Sequence, residues 1–399
     1  MSSLTNRSSS SENRSKENPI SRPNITKTRI PLSDIGNRRV ALGDITNQRN
    51  GSRNAASSSS ILVHCSNKIG QSKKTTKTAL SRKSNILVPY EDIELPLCNE
   101  SFKNSSIVVL PENAEDEKIV DIDSNLVDPQ LCGVIACDIF EHLRETEVKK
   151  RPALDYMERI QLNINASMRS ILIDWLVEVA EEYRLLPETL HLAVNYLDRY
   201  LSGNVITKQN LQLLGVTCMM IAAKYEEVRV PQVEDFCYIT DNTYLKSELL
   251  EMESSILNYL KFELTTPTAK CFLRRFLRAA QGEKEVSLLF ECLAGYITEL
   301  SLLDYAMLRY APSLIAASAV FLAQYILQPS RTPWNATLEH YTSYRAKHLE
   351  ACVKNLLQLC HENPSADVVS VRKKYSQHKY KFAAKKLCPT SLPQELFLC

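Results

Sequence analysis

Glycine is scarce in this chain, nine among 399 residues, and none stands in a Gly-x-Gly-x-x-Gly or Gly-x4-Gly-Lys-Ser/Thr cradle, which argues against nucleotide binding. Long apolar runs are missing too. The longest, near residues 213–223 and 314–323, fall well short of the ~20 residues of a bilayer-spanning helix, and residues 1–10 are polar with no apolar signal core. The sequence therefore predicts a soluble, unsecreted protein with no membrane contact. Its twelve cysteines include no Cys-x-x-Cys pair and no Cys/His ladder, which argues against a zinc module and a thioredoxin-type site; no metal and no cofactor are expected. Cys218, Cys237 and Cys271 sit among apolar neighbours, as reduced core cysteines of a reducing compartment would.

Aromatic residues are nearly absent from the first stretch: residues 1–90 hold only Tyr90, beside 18 serines. Such a segment cannot bury enough apolar area to offset the entropy of ordering its backbone, so it is expected to be a disordered tail. It carries 16 Lys/Arg against 4 Asp/Glu, a net of +12, which leaves 32 against 42, a net of −10, for residues 91–399. An acidic folded part is poorly suited to a phosphate backbone, so no direct nucleic-acid contact is expected of it.

From about residue 131 the apolar positions recur with a 3.6-residue period, broken by short polar turns and without alternating strand patterns, which predicts an all-helical fold. The spacing places helices over 131–149, 167–183, 187–201, 208–225, 230–238 and 245–260. After the Thr265-Thr266-Pro267 boundary it places others over 269–280, 284–301, 311–325, 335–342, 346–360 and 368–375. Pro187 suits a first helical turn, Ser202-Gly203-Asn204 a stop, and Thr207 a cap for the next helix. The two sets share a rhythm, and Ala222-Ala223-Lys224-Tyr225 matches Leu322-Ala323-Gln324-Tyr325 a hundred residues later. Two tandem five-helix domains follow: a tail over 1–125, a first unit with its lead helix over 131–265, a second over 266–380, and an extension over 381–399.

Lys224 ends an apolar helix, where a lysine ordinarily lays its stem on the surface and its ammonium in water. Glu253 is a second charge on a helix otherwise carrying Leu249, Leu250, Met252, Ile256 and Leu257. The repeat has Gln324 and, near Cys352 and Val353, uncharged residues at the matching places, so a charge pair kept in one unit only points to a task rather than to folding. Met168, Ile171, Leu172 and Trp175 fall at i, i+3, i+4 and i+7, one helical face, which taken alone reads as core.

The stretch Met168-Arg169-Ser170-Ile171-Leu172-Ile173-Asp174-Trp175-Leu176-Val177-Glu178 resembles the opening helix of the cyclin box. Tyr196-Leu197-Asp198-Arg199-Tyr200-Leu201, Ala223-Lys224-Tyr225-Glu226-Glu227 and Leu250-Glu251-Met252-Glu253 follow in that family's order, over roughly residues 135–380. Phe272-Leu273-Arg274-Arg275-Phe276 and Lys374-Tyr375-Ser376-Gln377-His378-Lys379-Tyr380 look specifically like a plant A-type mitotic cyclin. The resemblance implies a regulatory subunit, not an enzyme, that binds and activates a cyclin-dependent kinase. It assigns Lys224 and Glu253 to the main chain of the kinase's regulatory helix and Phe262 to packing on the kinase. It also turns the stripe of Met168, Ile171, Leu172 and Trp175 into an exposed groove for Arg-x-Leu peptides of substrates and inhibitors, with Glu178 receiving the arginine and Leu211 and Gln212 completing the wall.

In the tail, Arg29-x-x-Leu32-x4-Asn37 and Arg39-x-x-Leu42-x4-Asn47 repeat at a spacing of ten and look like destruction boxes read by the mitotic ubiquitin ligase. Lys16-Glu17-Asn18, followed by Pro19, looks like the companion KEN motif. An extended peptide with lysines nearby suits such a reader. Lys73-Lys74 and Arg82-Lys83 are expected to serve import, giving a nuclear protein with a cytoplasmic pool. Two other readings stand beside this one. Tandem cyclin-like repeats also occur in transcription initiation factors, against which the net −10 speaks. An enzyme is the other, but no Ser/His/Asp or Cys/His set stands out among seven histidines.

Overall fold

The computed structural model describes residues 119–124, 131–282, 286–362 and 367–398; the motifs at Lys16–Asn18, Arg29–Asn37 and Arg39–Asn47 lie outside them. Among the described residues the chain is helical and has no strand. The α-helices run in order α1 (Ala136–Glu147), α2 (Tyr156–Arg159), α3 (Ala166–Tyr183), α4 (Pro187–Leu201), α5 (Leu211–Glu226), α6 (Val233–Ile239), α7 (Lys246–Tyr259), α8 (Ala269–Gln281), α9 (Leu288–Leu303), α10 (Pro312–Leu327), α11 (Ala336–Thr342), α12 (Ala346–His361) and α13 (Ser370–Tyr375). Two units emerge, α3–α7 packed around α5 and α8–α12 packed around α10. Both central helices are closed to water along most of their length, as their small and branched apolar residues require. At Gly215 on α5, an added Cβ would lie 2.7 Å from Leu172 Cδ1, so only glycine lets α3 come this close.

Local chemistry explains the boundaries. Pro187 and Pro312 open α4 and α10, where a missing N–H costs nothing. The α3 start moves to Ala166 because Asn165 caps it: its side chain accepts from the Met168 N–H at 2.9 Å. Thr207 makes no capping hydrogen bond; Lys208–Asn210 is a 3-10 turn and α5 begins at Leu211. Pro231 delays α6 until Val233, where Asp235 closes a capping box on the Gln232 N–H at 2.8 Å. The four-residue α2 and the 3-10 turn Tyr305–Arg309 are too short to show a period.

The domain limits need two adjustments. Residues 119–124, assigned by sequence to the tail, are fastened to the second unit: Arg275 donates to Asp123 at 2.7 and 2.6 Å, Val120 N–H to Thr337 and Ile122 N–H to Tyr341. The lead helix α1, next to the first unit in sequence, also packs on the second: Phe140 meets Phe272, and Glu147 accepts from both the N–H and the hydroxyl of Ser313. Burial pushes the Glu147 carboxyl above its usual range, and the Ser313 hydrogen bonds and nearby Arg144 and Arg151 only partly offset it. The extension folds back as well, burying Ala383 and Phe397, the latter stacked on Phe321 with ring centroids 5.2 Å apart.

Candidate docking surfaces

The last turn of α5 and the middle of α7 bring Lys224 and Glu253 together at 2.6 Å, with the lysine 42% and the glutamate 14% exposed. A pair this wet adds about 0–1 kcal/mol to stability, so folding alone gives little reason for it. Exposed Tyr225, Leu250 and Tyr259 lie on the same two helices. Just beyond α7, Lys261 N–H bonds the Asn258 carbonyl and Phe262 N–H the Leu257 carbonyl, the pattern that ends a helix through a left-handed residue. Neither residue is glycine, yet both have positive φ, 54° and 57°. Such conformations cost on the order of 1 kcal/mol or more each, and here they leave Phe262 65% exposed. The turn thus holds a large aromatic ring in water just past the end of α7.

The second unit treats the matching place differently. Gln324 Oε1 is buried without a hydrogen-bond partner, and Cys352 and Val353 are fully enclosed. Where one repeat keeps a partly exposed charged pair, the other has a half-buried Gln324 and the fully enclosed Cys352 and Val353.

The stripe on α3 is less open than the resemblance led us to expect. Leu172 is 1% and Leu211 2% exposed, so both are core: Leu172 fills the space over Gly215 and Leu211 starts the central helix. Trp175 and Ile171 are also buried, at 7% and 9%, and only Met168, Gln212 and Glu178 are half-exposed. What stays open to water here is Met168, Gln212 and the Glu178 carboxylate, with Ile171 and Trp175 nearly closed behind them. Glu178 is already engaged, because the Ser370 hydroxyl lies 2.9 Å from its Oε1 and 2.6 Å from Asp174 Oδ2. An arriving guanidinium would add to that contact rather than fill an empty one.

Sequence reading passed over the residues that hold this platform in place. Arg169, beside Met168 on α3, is buried and grips Asp198 of α4 through two 2.7 Å hydrogen bonds, while its third nitrogen donates to the Leu302 carbonyl of the second unit at 2.9 Å. Tyr156 of α2 donates to the same Asp198 at 2.7 Å. Burial alone would lower the guanidinium's pKa; the Asp198 carboxylate outweighs it and raises it, so the arginine stays charged. Farther along α3, buried Asp174 accepts from the Val369 and Ser370 N–H groups and so caps α13 across the domain boundary. Glu181 takes Lys379 at 2.5 Å and Tyr380 at 2.7 Å, and Lys374 reaches Glu299 at 2.8 Å. Burial raises the Glu181 pKa, but the hydrogen bonds from Lys379 and Tyr380 with the Lys374 and Lys379 charges prevail and lower it. Arg169 and Asp174 inside a largely apolar period were the available signals, since a buried charge needs a buried partner.

Among the described residues no group of His, Cys, Asp and Glu could hold a metal ion, and no helix is long and apolar enough to cross a membrane. Cys218 and Cys237 are buried as expected, whereas Cys271 is only half-buried.

Known proteins resemble this chain in sequence over nearly its whole length. The model of the cyclin N-terminal domain matches residues 138–265 and that of the cyclin C-terminal domain residues 267–389. Cyclin-A1-2 of Arabidopsis thaliana is 71% identical over 442 aligned residues, covering 98% of this chain and 100% of that protein. Cyclin-A1-1 of the same plant is 66% identical over 284 residues, covering 71% of this chain and 62% of that one. Among solved structures, a viral cyclin from herpesvirus saimiri shares the fold with a TM-score of 0.51 at 24% identity, covering 55% of this chain and 96% of its own. With both cyclin domains in tandem and a full-length A-type match, the chain belongs to the cyclin family, among the plant A-type cyclins.

Proposed function

We propose that this cyclin binds a cyclin-dependent Ser/Thr kinase through the face carrying Lys224, Glu253 and Phe262 and shifts that kinase toward its active state. As a cyclin the chain is a regulatory subunit, not an enzyme, so the phosphoryl transfer belongs to the partner. The observation that carries the reading is the exposed Phe262 with its positive φ, just past the helix that holds one half of a partly exposed ion pair, whose counterparts in the second repeat are uncharged. Charged groups that meet backbone donors and acceptors of a docked helix fix its orientation more firmly than neutral ones, and placing a kinase's regulatory helix completes the Lys/Glu pair that grips ATP phosphates. The test is phosphorylation of a histone-type substrate by a purified cyclin-dependent kinase with and without the full chain. Activation supports the reading; no activation across several such kinases would sink it. A cyclin-fold protein acting on nucleic acid remains the other reading, and the −10 charge of residues 91–399 weighs against it.

The strip of Met168, Ile171, Trp175, Glu178 and Gln212, backed by Leu172 and Leu211, is proposed to recruit Arg-x-Leu segments of substrates and inhibitors. An apolar strip ended by a carboxylate suits a short peptide with one leucine and one arginine. The tail motifs are proposed to pass the protein to the mitotic ubiquitin ligase, limiting its work to the interval from S phase to mitosis. A fluorescent fusion of the full chain is expected to be mainly nuclear, with a cytoplasmic pool, and to vanish at mitotic exit. Arg29→Ala/Leu32→Ala and Arg39→Ala/Leu42→Ala are each expected to lengthen its half-life partly, and together fully. Complete stabilisation by one pair alone would show that the two boxes do not share the task.

A further inference from the structure

His191 and Asn195 stand one turn apart on α4, and each keeps a buried acceptor with no donor facing it. His191 is 3% exposed, and its Nδ1 lies 2.8 Å from the Pro187 carbonyl, an oxygen that can only accept. The ring's hydrogen is therefore on Nδ1, and the bare Nε2 is left buried without a hydrogen-bond partner. Burial holds the imidazole below its usual pKa, against the pull of the Glu299 charge, so the ring is neutral at pH 7. The half-buried Asn195 has its Oδ1 in the same condition. Buried acceptors left unpaired are costly and uncommon, and two on one helical face are a reason to look at what they border.

Both residues line one cleft of about 90 Å3 whose walls come from both units. Val194, Pro267, Met307, Leu308 and Ile315 make that wall largely apolar. The charged groups that reach the cleft are already engaged. Arg169 holds Asp198, Glu147 accepts from Ser313, Lys150 meets the Thr265 carbonyl at 3.3 Å and Glu263 at 3.7 Å, and Arg151 donates to the Leu308 and Tyr310 carbonyls. A charged ligand would find no free counter-ion, so a neutral one fits. Two acceptors without donors call for a ligand that donates, and a volume below the ~150 Å3 of a cavity that takes benzene leaves room for no more than a single ring. We propose that the cleft binds a small neutral aromatic molecule with an O–H or N–H donor directed at His191 Nε2, Asn195 Oδ1 being the acceptor for a second donor. Because residues of both units wall the cleft, a ligand there bridges them and stabilises the folded chain by mass action.

The test is calorimetric titration of the full chain at pH 7 with phenol and with benzene, the same ring without the donor. Phenol is expected to fill one saturable site and to raise the melting temperature, and benzene to bind at least about tenfold more weakly, since it leaves Nε2 unpaired. Catechol, which adds a second donor, is expected to bind about threefold more tightly than phenol and to lose that margin in Asn195→Ala. In His191→Phe, whose helicity is checked by circular dichroism, phenol is expected to bind no better than benzene. The ordering of phenol and benzene in the unsubstituted chain needs no variant. Equal binding of the two, no saturable binding of phenol, or a phenol affinity unchanged in a folded His191→Phe would overturn the proposal.

Discussion

Replacing Arg169 with alanine is expected to destabilise the folded chain by about 3–5 kcal/mol, since it leaves the buried Asp198 carboxylate without its cation. At about 2–4 °C per kcal/mol for a body of 150–250 residues, the melting temperature falls by roughly 6–20 °C. The loss is large because Arg169 serves three elements at once. It neutralises Asp198 of α4, it supports the Asp198 oxygen that Tyr156 of α2 also uses, and it reaches the Leu302 carbonyl in the second unit. Removing both charges together, as Arg169→Met with Asp198→Leu, is expected to cost much less, because the desolvation of two ions vanishes along with their attraction. Thermal unfolding followed by circular dichroism measures both. A single-variant loss below about 1 kcal/mol would mean that water reaches the pair.

How much of this was legible in the sequence depends on how far apart the contributing residues lie. Helices announce themselves locally, through the period of their apolar positions and through Pro187 or Ser202 at their ends, and most of them fall where the pattern puts them. The internal repeat was legible for the same reason, and with it the asymmetry between Lys224 and Gln324. A 3.6-residue stripe, by contrast, reads identically whether it faces a core or a groove. Nothing along α3 says that Leu172 ends up pressed over Gly215 of α5. The seams between the units were not legible at all. Asp174 meets Ser370, Glu181 meets Tyr380 and Arg275 meets Asp123 across long stretches of chain, and only the folded arrangement makes them neighbours. Phe262 was placed by resemblance, while the reason it stands out in water lies in two positive φ angles at residues whose types give no hint of them.

The double substitution Lys224→Ala/Glu253→Ala is expected to do the opposite of Arg169→Ala, sparing the fold and removing the function. With the lysine 42% exposed, losing the pair costs stability only about 0–1 kcal/mol, a change of a few degrees at most. Truncating two charged anchors of a docked helix weakens association by about 2–4 kcal/mol, or roughly 30- to 1,000-fold in Kd. Kinase activation at a fixed cyclin concentration falls accordingly and returns in part when the cyclin is raised, since the lost term is binding rather than the partner's chemistry. Phe262→Ala is expected to act in the same direction with unchanged stability, because a ring 65% exposed contributes little to the isolated fold. Titrating one kinase with the three proteins, beside their melting curves, separates the cases. Full activation by the double variant would move the docking face away from α5 and α7, and a collapse of its melting temperature would assign the pair to the fold.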